Sequence, residues 1–435
     1  MDLLCNAYSN SSDEELEPDN RRIPLPGSQT KPNYRPEFNP PSSKRLKINS
    51  NKPPNTPNEA PIAGRYISKR ERALMGQPDG AAALESNPNP SISNSSVLAS
   101  ITNSDLPRDI LSSLRREKGH SPQLSQISER LFTSLHSHTK AVNALSWSQS
   151  HAHLLASAGM DQTICIWNVW SNQKLARILR FHNAAVKDVK WSQQGFSVLS
   201  CGYDCASRLI DVEKGIETEV FKEDQVVGVV KFHPDNSNLF LSGGSKGRIR
   251  FWDIRTRKVV HEYIRGLGPI LDLEFTNNGK SFISSSDVSG VNVSENSIMV
   301  WDISRQIPLS NQVYVEAFTC PCIRSHPFDP YFVAQSNGNY IAIFSSSSPF
   351  KLDNYKRYEG HGVSGFPVKC NFSLDGQTLV SGSSDGSIYF FNYRSSNFIR
   401  KIKAFEQACV DVAFHPIMPN VVAACSWNGE VSLYE

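Results

Sequence analysis

Residues 154–169, LLASAGMDQTICIWNV, read as strand, tight turn, strand. Leu154 to Ala156 is a short apolar run. Ser157-Ala158-Gly159-Met160-Asp161 supplies the turn chemistry, and Ile164, Ile166 and Val169 resume a β-type pattern. The same phrase returns six more times. LSCGYDCASRLIDV closes at Val212, LSGGSKGRIRFWDI at Ile254 and VSGSSDGSIYFFNY at Tyr393, and looser copies end around Trp301, Phe344 and Tyr434. Indexed by the place of Trp167, the copies fall at Trp167, Ile210, Trp252, Trp301, Phe344, Phe391 and Tyr434, in steps of 43, 42, 49, 43, 47 and 43 residues. That period, closed by Trp-Asp or a near substitute, is the mark of a β-propeller. The expected fold is all-β: a seven-bladed propeller over residues 128–435, preceded by a largely disordered arm over residues 1–127.

Bulk properties narrow the class further. A formal net charge of +3 is too small to argue for nucleic acid by itself. Nine cysteines at irregular spacing, with no secretory leader, suit reduced buried thiols in the cytosol or nucleus. No run of about 18 apolar residues occurs, so no membrane span is expected. The expected location is the nucleus, with the cytoplasm as the alternative.

The arm holds 16 of the 26 prolines and none of the seven tryptophans. Such a segment cannot bury enough apolar surface to offset the entropy of ordering it. Asp13, Glu14, Glu15, Glu17 and Asp19 form an acidic start. Lys44, Arg45, Lys47, Lys69, Arg70 and Arg72 form a basic middle, suited to nuclear import or RNA contact; the plainer alternative is a solvated linker. One short helix is expected near residues 106–118. Asp105 would cap it, Pro107 suits its first turn, and Ile110, Leu111 and Leu114 share a face that would dock on a partner or on the propeller.

Within the repeats, certain residue types recur at one spacing. A His before strand a, a Ser in strand b, an Asp in the b–c turn and a Trp in strand c make a hydrogen-bonded chain in propellers of this kind. The Asp accepts from the imidazole, the imidazole bonds the hydroxyl, and the hydroxyl accepts from the indole. Blade 1 has His138, Ser157, Asp161 and Trp167. Blade 2 has His182, Ser200 and Asp204, with Ile210 for the Trp. Blade 6 has His361, Ser381 and Asp385, with Phe391. Blade 3 keeps Ser242 and Trp252 but has Lys246 in the Asp place, and blades 5 and 7 have Gly338 and Asn428 there. Blade 4 carries about seven extra residues in its b–c loop. His-Pro at residues 233–234, 326–327 and 415–416 marks the end of strand a. The last blade has sequence for strands a to c only, so residues 130–135, RLFTSL, are expected to supply its outer strand and close the ring.

A hydrolase triad is the rival reading of His, Ser and Asp, but a catalytic site is built once and this trio repeats. No G-x-S-x-G elbow, P-loop or H-E-x-x-H is present. Cys320-Pro321-Cys322, and Cys201 with Cys205, lack zinc-site spacing. No catalytic residue, metal or cofactor is expected. The working parts are then the faces. The residue before each turn Asp should point up from the rim: Met160, Tyr203, Ser245, Asn337, Ser384 and Trp427. Blades 7, 1 and 2 are neighbours once the ring closes, which would gather Trp427, Met160 and Tyr203 into an apolar patch for a protein partner. The plainer alternative packs them under neighbouring loops.

Three stretches carry a narrower likeness: AFTCPCIRSHPFDPYFVAQSNGNYIAIFS (317–345), RYEGHGVSGFPV (357–368) and ACSWNGEVSLYE (424–435). With them, residues 130–435 resemble the WD repeat-containing protein 25 family and, more distantly, the pre-mRNA-processing factor 17 family of spliceosomal propellers. The resemblance implies a non-enzymatic, monomeric seven-bladed scaffold for other proteins, associated with splicing and a ribonucleoprotein complex. Two alternatives stand beside it. Trp252-Asp253-Ile254-Arg255 resembles the W-D-x-R box of cullin-4 ubiquitin-ligase substrate receptors. Direct RNA binding through the basic arm would show steep salt dependence.

Overall fold

The computed structural model describes residues 129–287, 297–309 and 318–435. The basic and acidic clusters of the arm, the helix expected near residues 106–118 and most of the blade 4 extension lie outside them.

Among the described residues, seven antiparallel sheets succeed one another along the chain. Blade 1 takes its strands a to d from Val142–Trp147, Leu154–Gly159, Ile164–Asn168 and Leu175–Leu179. Blades 2 to 6 come next, at residues 186–222, 227–263, 270–302, 322–359 and 370–403. Among the described residues blade 4 shows three strands, with Leu309 N–H donating to Val300 O and a single bridge between Trp301 and Pro308. Blade 7 is built from Cys409–Phe414, Val422–Ser426 and Val431–Tyr434, and its outer strand is Leu131–Leu135. Leu131 pairs with Tyr434 and Leu135 with Val431, so the two ends of the propeller share one blade.

Burial explains the sequence gradient from hub to edge. Strand b of blade 1 is buried at all six positions, because neighbouring blades cover both its faces. The outer strand Ile216–Lys222 is only partly buried and carries Glu217 and Glu219. Apolar clusters fill the spaces between blades; Trp167 and Trp301 are among the largest fully buried side chains. Each such side chain contributes about 1.5–3 kcal/mol from burial.

Two features order the faces. Strand a of blades 1, 2, 3, 4 and 7 shifts register after its first pair, at Val142/Ala144, Val186/Asp188, Val227/Val229, Ile270/Asp272 and Cys409/Asp411. The extra residue bends the strand and re-aims the side chains beyond it. At the end of strand a, His233, His326 and His415 each place Nε2 within 3.0 Å of the next blade's carbonyl, at Gly279, Gly376 and Ala152. The proline after each ends the ladder, and the imidazole joins one blade to the next.

Candidate functional site

Blade 1 holds the four-part chain in full. His138 Nδ1 lies 3.1 Å from both oxygens of Asp161, and His138 Nε2 lies 2.8 Å from Ser157 Oγ. Trp167 Nε1 donates to the same hydroxyl at 2.8 Å. Thr163 adds its hydroxyl and amide to Asp161. Burial alone would lower the His138 pKa, but Asp161 and the nearby Cys165 raise it to about 9. Burial works against the Asp161 carboxylate, yet bonds from His138, Thr163 and the Thr139 amide hold it down to about 2. This is an ion pair locked inside a blade, with no open face for a substrate.

Blade 2 repeats the His182, Asp204 and Ser200 links at 3.0 and 2.8 Å. Where the indole is absent, Arg208 closes on Asp204 at 2.9 Å and also pairs with Glu217. Blade 3 uses other chemistry. Ser242 still receives Trp252 Nε1 at 2.9 Å, but it donates to Glu223 at 2.5 Å. Arg250 then binds Glu223, Asp224 and Glu262, and Lys246 reaches Asp224. In blade 4 Trp301 donates to Ser284 at 2.9 Å.

Blade 6 corrects the expectation. His361, Ser381 and Asp385 do not meet. His361 Nε2 faces Gln335 of blade 5 at 2.7 Å, and Ser381 donates to the same Gln335 at 3.1 Å. Asp385 binds Lys401 and Tyr389 instead. The reason is loop length. Trp147 comes nine positions after His138, and Trp191 nine after His182, but Phe372 comes eleven after His361. The longer loop passes through left-handed Ser364 and Gly365, at φ 47° and 78°, and carries the imidazole out of reach of its own turn. His361 Nδ1 is left buried without a partner.

The rim residues share one backbone geometry. Amides of Met160, Tyr203, Ser245, Asn337, Ser384 and Trp427 donate to Ala141, Ala185, Val226, Thr319, Gly362 and Ala408 of the adjoining d–a loops, at 2.7–3.0 Å. Each of these b–c turns is thereby fastened to a d–a loop on the same face. Tyr203 is 38 % exposed; Met160, Ser384 and Trp427 are half-buried; Ser245 and Asn337 are exposed. Blade 7's turn abuts blade 1's loop: a Cβ on Gly429 would fall 2.8 Å from the carbonyls of His138 and Lys140, and φ there is +98°. Trp427 stands edge-on to Phe366 at 5.3 Å and 76°. Phe366 arrives on the long blade 6 loop, so the ring partner of Trp427 comes from blade 6.

Another set escaped the sequence reading. Asp188, Asp272 and Asp411 come just after the strand-a bulges, and each carboxylate binds two backbone amides. One is its own neighbour's and one is the next blade's, at Val230, Ile323 and Leu145. Lys190 pairs with Asp188, Arg324 with Asp272, and Lys369 with Asp411. An Asp at the third position of strand a, in VKDVKW, ILDLEF and CVDVAF, is the available signal. Among the described residues no group of three or more His, Cys, Asp and Glu side chains is arranged to hold a metal.

Comparison with known proteins places this geometry. Residues 129–168, 173–211, 218–253 and 353–392 match the family model described as WD domain, G-beta repeat. The chain is 36 % identical over 310 residues to WD repeat-containing protein 25 of Mus musculus, covering 71 % of this chain and 58 % of that relative. It is 30 % identical over 300 residues to pre-mRNA-processing factor 17 of Homo sapiens, covering 68 % and 51 %. To the factor of the same name from Saccharomyces cerevisiae it is 26 % identical over 298 residues, covering 68 % and 64 %. The chain therefore spans between about half and two thirds of the length of these relatives. Seven sheets at the repeat period, the matched repeats and this shared sequence make the chain a WD40-repeat β-propeller protein, similar over its propeller to WD repeat-containing protein 25 and pre-mRNA-processing factor 17.

Proposed function

We propose that this propeller is a non-enzymatic scaffold in the nucleus that binds a protein component of the pre-mRNA processing machinery through the rim of blades 6, 7, 1 and 2. The carrying observation is the Trp427–Phe366 pair, half-buried on a rim whose turns are tied down by the backbone. Aromatic side chains on a rigid frame suit binding, since little entropy is lost when they are covered. The buried His138–Asp161 and His182–Asp204 pairs face inward, as structural links and not as groups presented to a substrate. The name of the similar pre-mRNA-processing factor 17 supports the choice of machinery.

Affinity purification of the full chain from nuclear extract tests this reading. Spliceosomal proteins should be recovered with the native chain and lost with Tyr203→Ala combined with Met160→Lys. Both substitutions leave the turn amides that donate to Ala141 and Ala185 in place, and denaturant titration of the variant checks that the fold is kept. Equal recovery by the variant would refute the rim assignment. Recovery of a cullin adaptor, or of RNase-sensitive RNA alone, would replace the splicing partner.

A further inference from the structure

Each outer strand of the propeller is the edge of its sheet, and among those described blade 6 has the most one-sided charge. Its strand Phe398–Lys403 reads FIRKIK, and no described strand pairs beyond it. It carries three cations and no acid, whereas IETEVFK, KVVHEY and LDNYKRYE of blades 2, 3 and 5 mix both signs. LARIL of blade 1 has a single charge and LFTSL of blade 7 has none. Apolar surface is added at one end, where Phe398 is 53 % exposed and Ile399 51 %. Asp385 holds Lys401 Nζ at 2.7 Å and, by its backbone carbonyl, Lys403 Nζ at 2.6 Å, while Glu129 stands 3.8 Å from Arg400. Two carboxylates against three cations leave the edge positive.

The register says which backbone groups are open. Ala404 N–H donates to Gly386 O, one step beyond the pair Lys403 and Ser387. Residues along an antiparallel ladder turn their N–H and C=O alternately toward the partner strand and away from it. Ile402 therefore turns its groups to Ile388, and Lys401 and Lys403 point theirs out of the sheet. Their side chains keep to the face of Tyr389: Lys401 Nζ lies 5.0 Å from that ring's centroid, and the Phe398 ring lies 6.0 Å from it. Lysines on an edge guard it against strand addition, but the guard is selective. Two copies of this edge would set like charges against each other, and a neutral strand would leave the positive charge unanswered. Only for an acidic strand does the same charge become an attraction.

We propose that the outer edge of blade 6 binds an extended acidic segment of a partner protein by strand addition, with carboxylates opposite Lys401 and Lys403 and an apolar side chain beside Ile399. The outward N–H and C=O groups of the two lysines supply the main-chain bonds, and the charge of the strand selects the partner. Nothing in this assignment depends on what the rim binds.

The test uses the full chain and a short synthetic peptide that alternates Glu and Val, with amide hydrogen exchange read residue by residue. At saturating peptide the amides of Lys401 and Lys403 should exchange at least about tenfold more slowly, with no change on the outer strands of the other blades. Affinity should fall at least about tenfold when Lys replaces Glu in the peptide, and again when every second backbone nitrogen is methylated in one of the two phases. Ile399→Asp should weaken binding to a similar degree, with denaturant titration checking that the fold is kept. Protection on another blade, equal binding of the reversed-charge or methylated peptides, or protection by oligouridylate and not by the acidic peptide would each overturn the proposal. So would slow exchange of both amides before any peptide is added, which would mean an edge already filled.

Discussion

His415 Nε2 of blade 7 sits 2.8 Å from the carbonyl oxygen of Ala152 in blade 1. Its other nitrogen, Nδ1, accepts the amides of Ile417 and Met418, so Nε2 must carry the proton that is donated across the seam. The ring is wedged edge-on against Trp147 and Trp170 at 4.8 and 5.1 Å. Here two chain regions 263 residues apart are joined, which makes the site a sensitive gauge of closure. His415→Ala removes a buried hydrogen bond and the ring packing. It should cost about 2–4 kcal/mol in denaturant titration. A loss below about 0.5 kcal/mol would show that the outer strand alone closes the ring.

Acid should loosen the same joints. Burial lowers the pKa of His153, His361 and His415 to about 4 each, from 6.5. The folded state therefore refuses protons that the unfolded chain accepts. Their contribution is intact above pH 6.5 and is lost as pH falls toward 4, by roughly 3 kcal/mol per group at most. Unfolding free energy measured at pH 7.5, 6 and 5 should fall steeply, and more gently in His415→Asn. Parallel slopes for the two chains would contradict the assignment to His415.

The Asp161–His138 pair works at the other end of the scale. His138 is raised to about 9, so its share of stability is full below pH 6.5 and disappears as pH rises through 9. Asp161 is held at about 2, so its share is full above pH 3.8 and disappears as pH falls through 2. Asp161→Asn should erase the alkaline loss between pH 7 and 9 that the native chain shows. An unchanged alkaline profile in the variant would place the titrating group elsewhere.

How much of this the sequence discloses depends on the distance between partners. The repeat phrase and the blade 1 chain are legible because Ser157 and Trp167 are 10 residues apart and His138 and Asp161 are 23 apart. Loop length spoils the reading in blade 6, where Ser381 finds Gln335 46 residues upstream, in another blade. The inner carboxylates are harder still. Asp188, Asp272 and Asp411 bind amides 42, 51 and 266 residues away, and a backbone amide has no residue-type signature. Only the recurrence of Asp at the third position of strand a marks them.

Removing the blade hydroxyl should separate true chains from accidental ones. Ser157→Ala strands the Trp167 indole N–H and one His138 nitrogen in a fully buried place, at a cost of about 2–3 kcal/mol. Ser381→Ala leaves Gln335 Nε2 bonded to His361 and to backbone carbonyls and strands only its buried Oε1, one group where Ser157→Ala strands two, so the cost should be the smaller, at about 1–2 kcal/mol. Equal losses in the two variants, measured by denaturant titration, would mean that blade 6 does close on its own histidine in solution.

The hub offers the sharpest contrast between charge and packing. Asp411 accepts Leu145 N–H at 3.0 Å and its own neighbour's amide at 2.9 Å, and Lys369 lies 3.4 Å away in the same enclosed space. Burial alone would lower the Lys369 pKa, but Asp411 and Asp188 push it up and keep the ammonium charged. Asp411→Ala leaves that ammonium and the Leu145 amide without this carboxylate, so the loss should reach about 3–5 kcal/mol. Asp411→Asn keeps the shape and one acceptor for the Leu145 amide, and should lose less. The decisive variant is Asp411→Ala with Lys369→Met, which removes both charges together. If the hub is held by mutual compensation, the double change recovers part of the single loss, because an uncompensated buried charge costs more than an absent pair. Strictly additive losses would show instead that the two side chains act independently and that the backbone staple to blade 1 carries the whole effect.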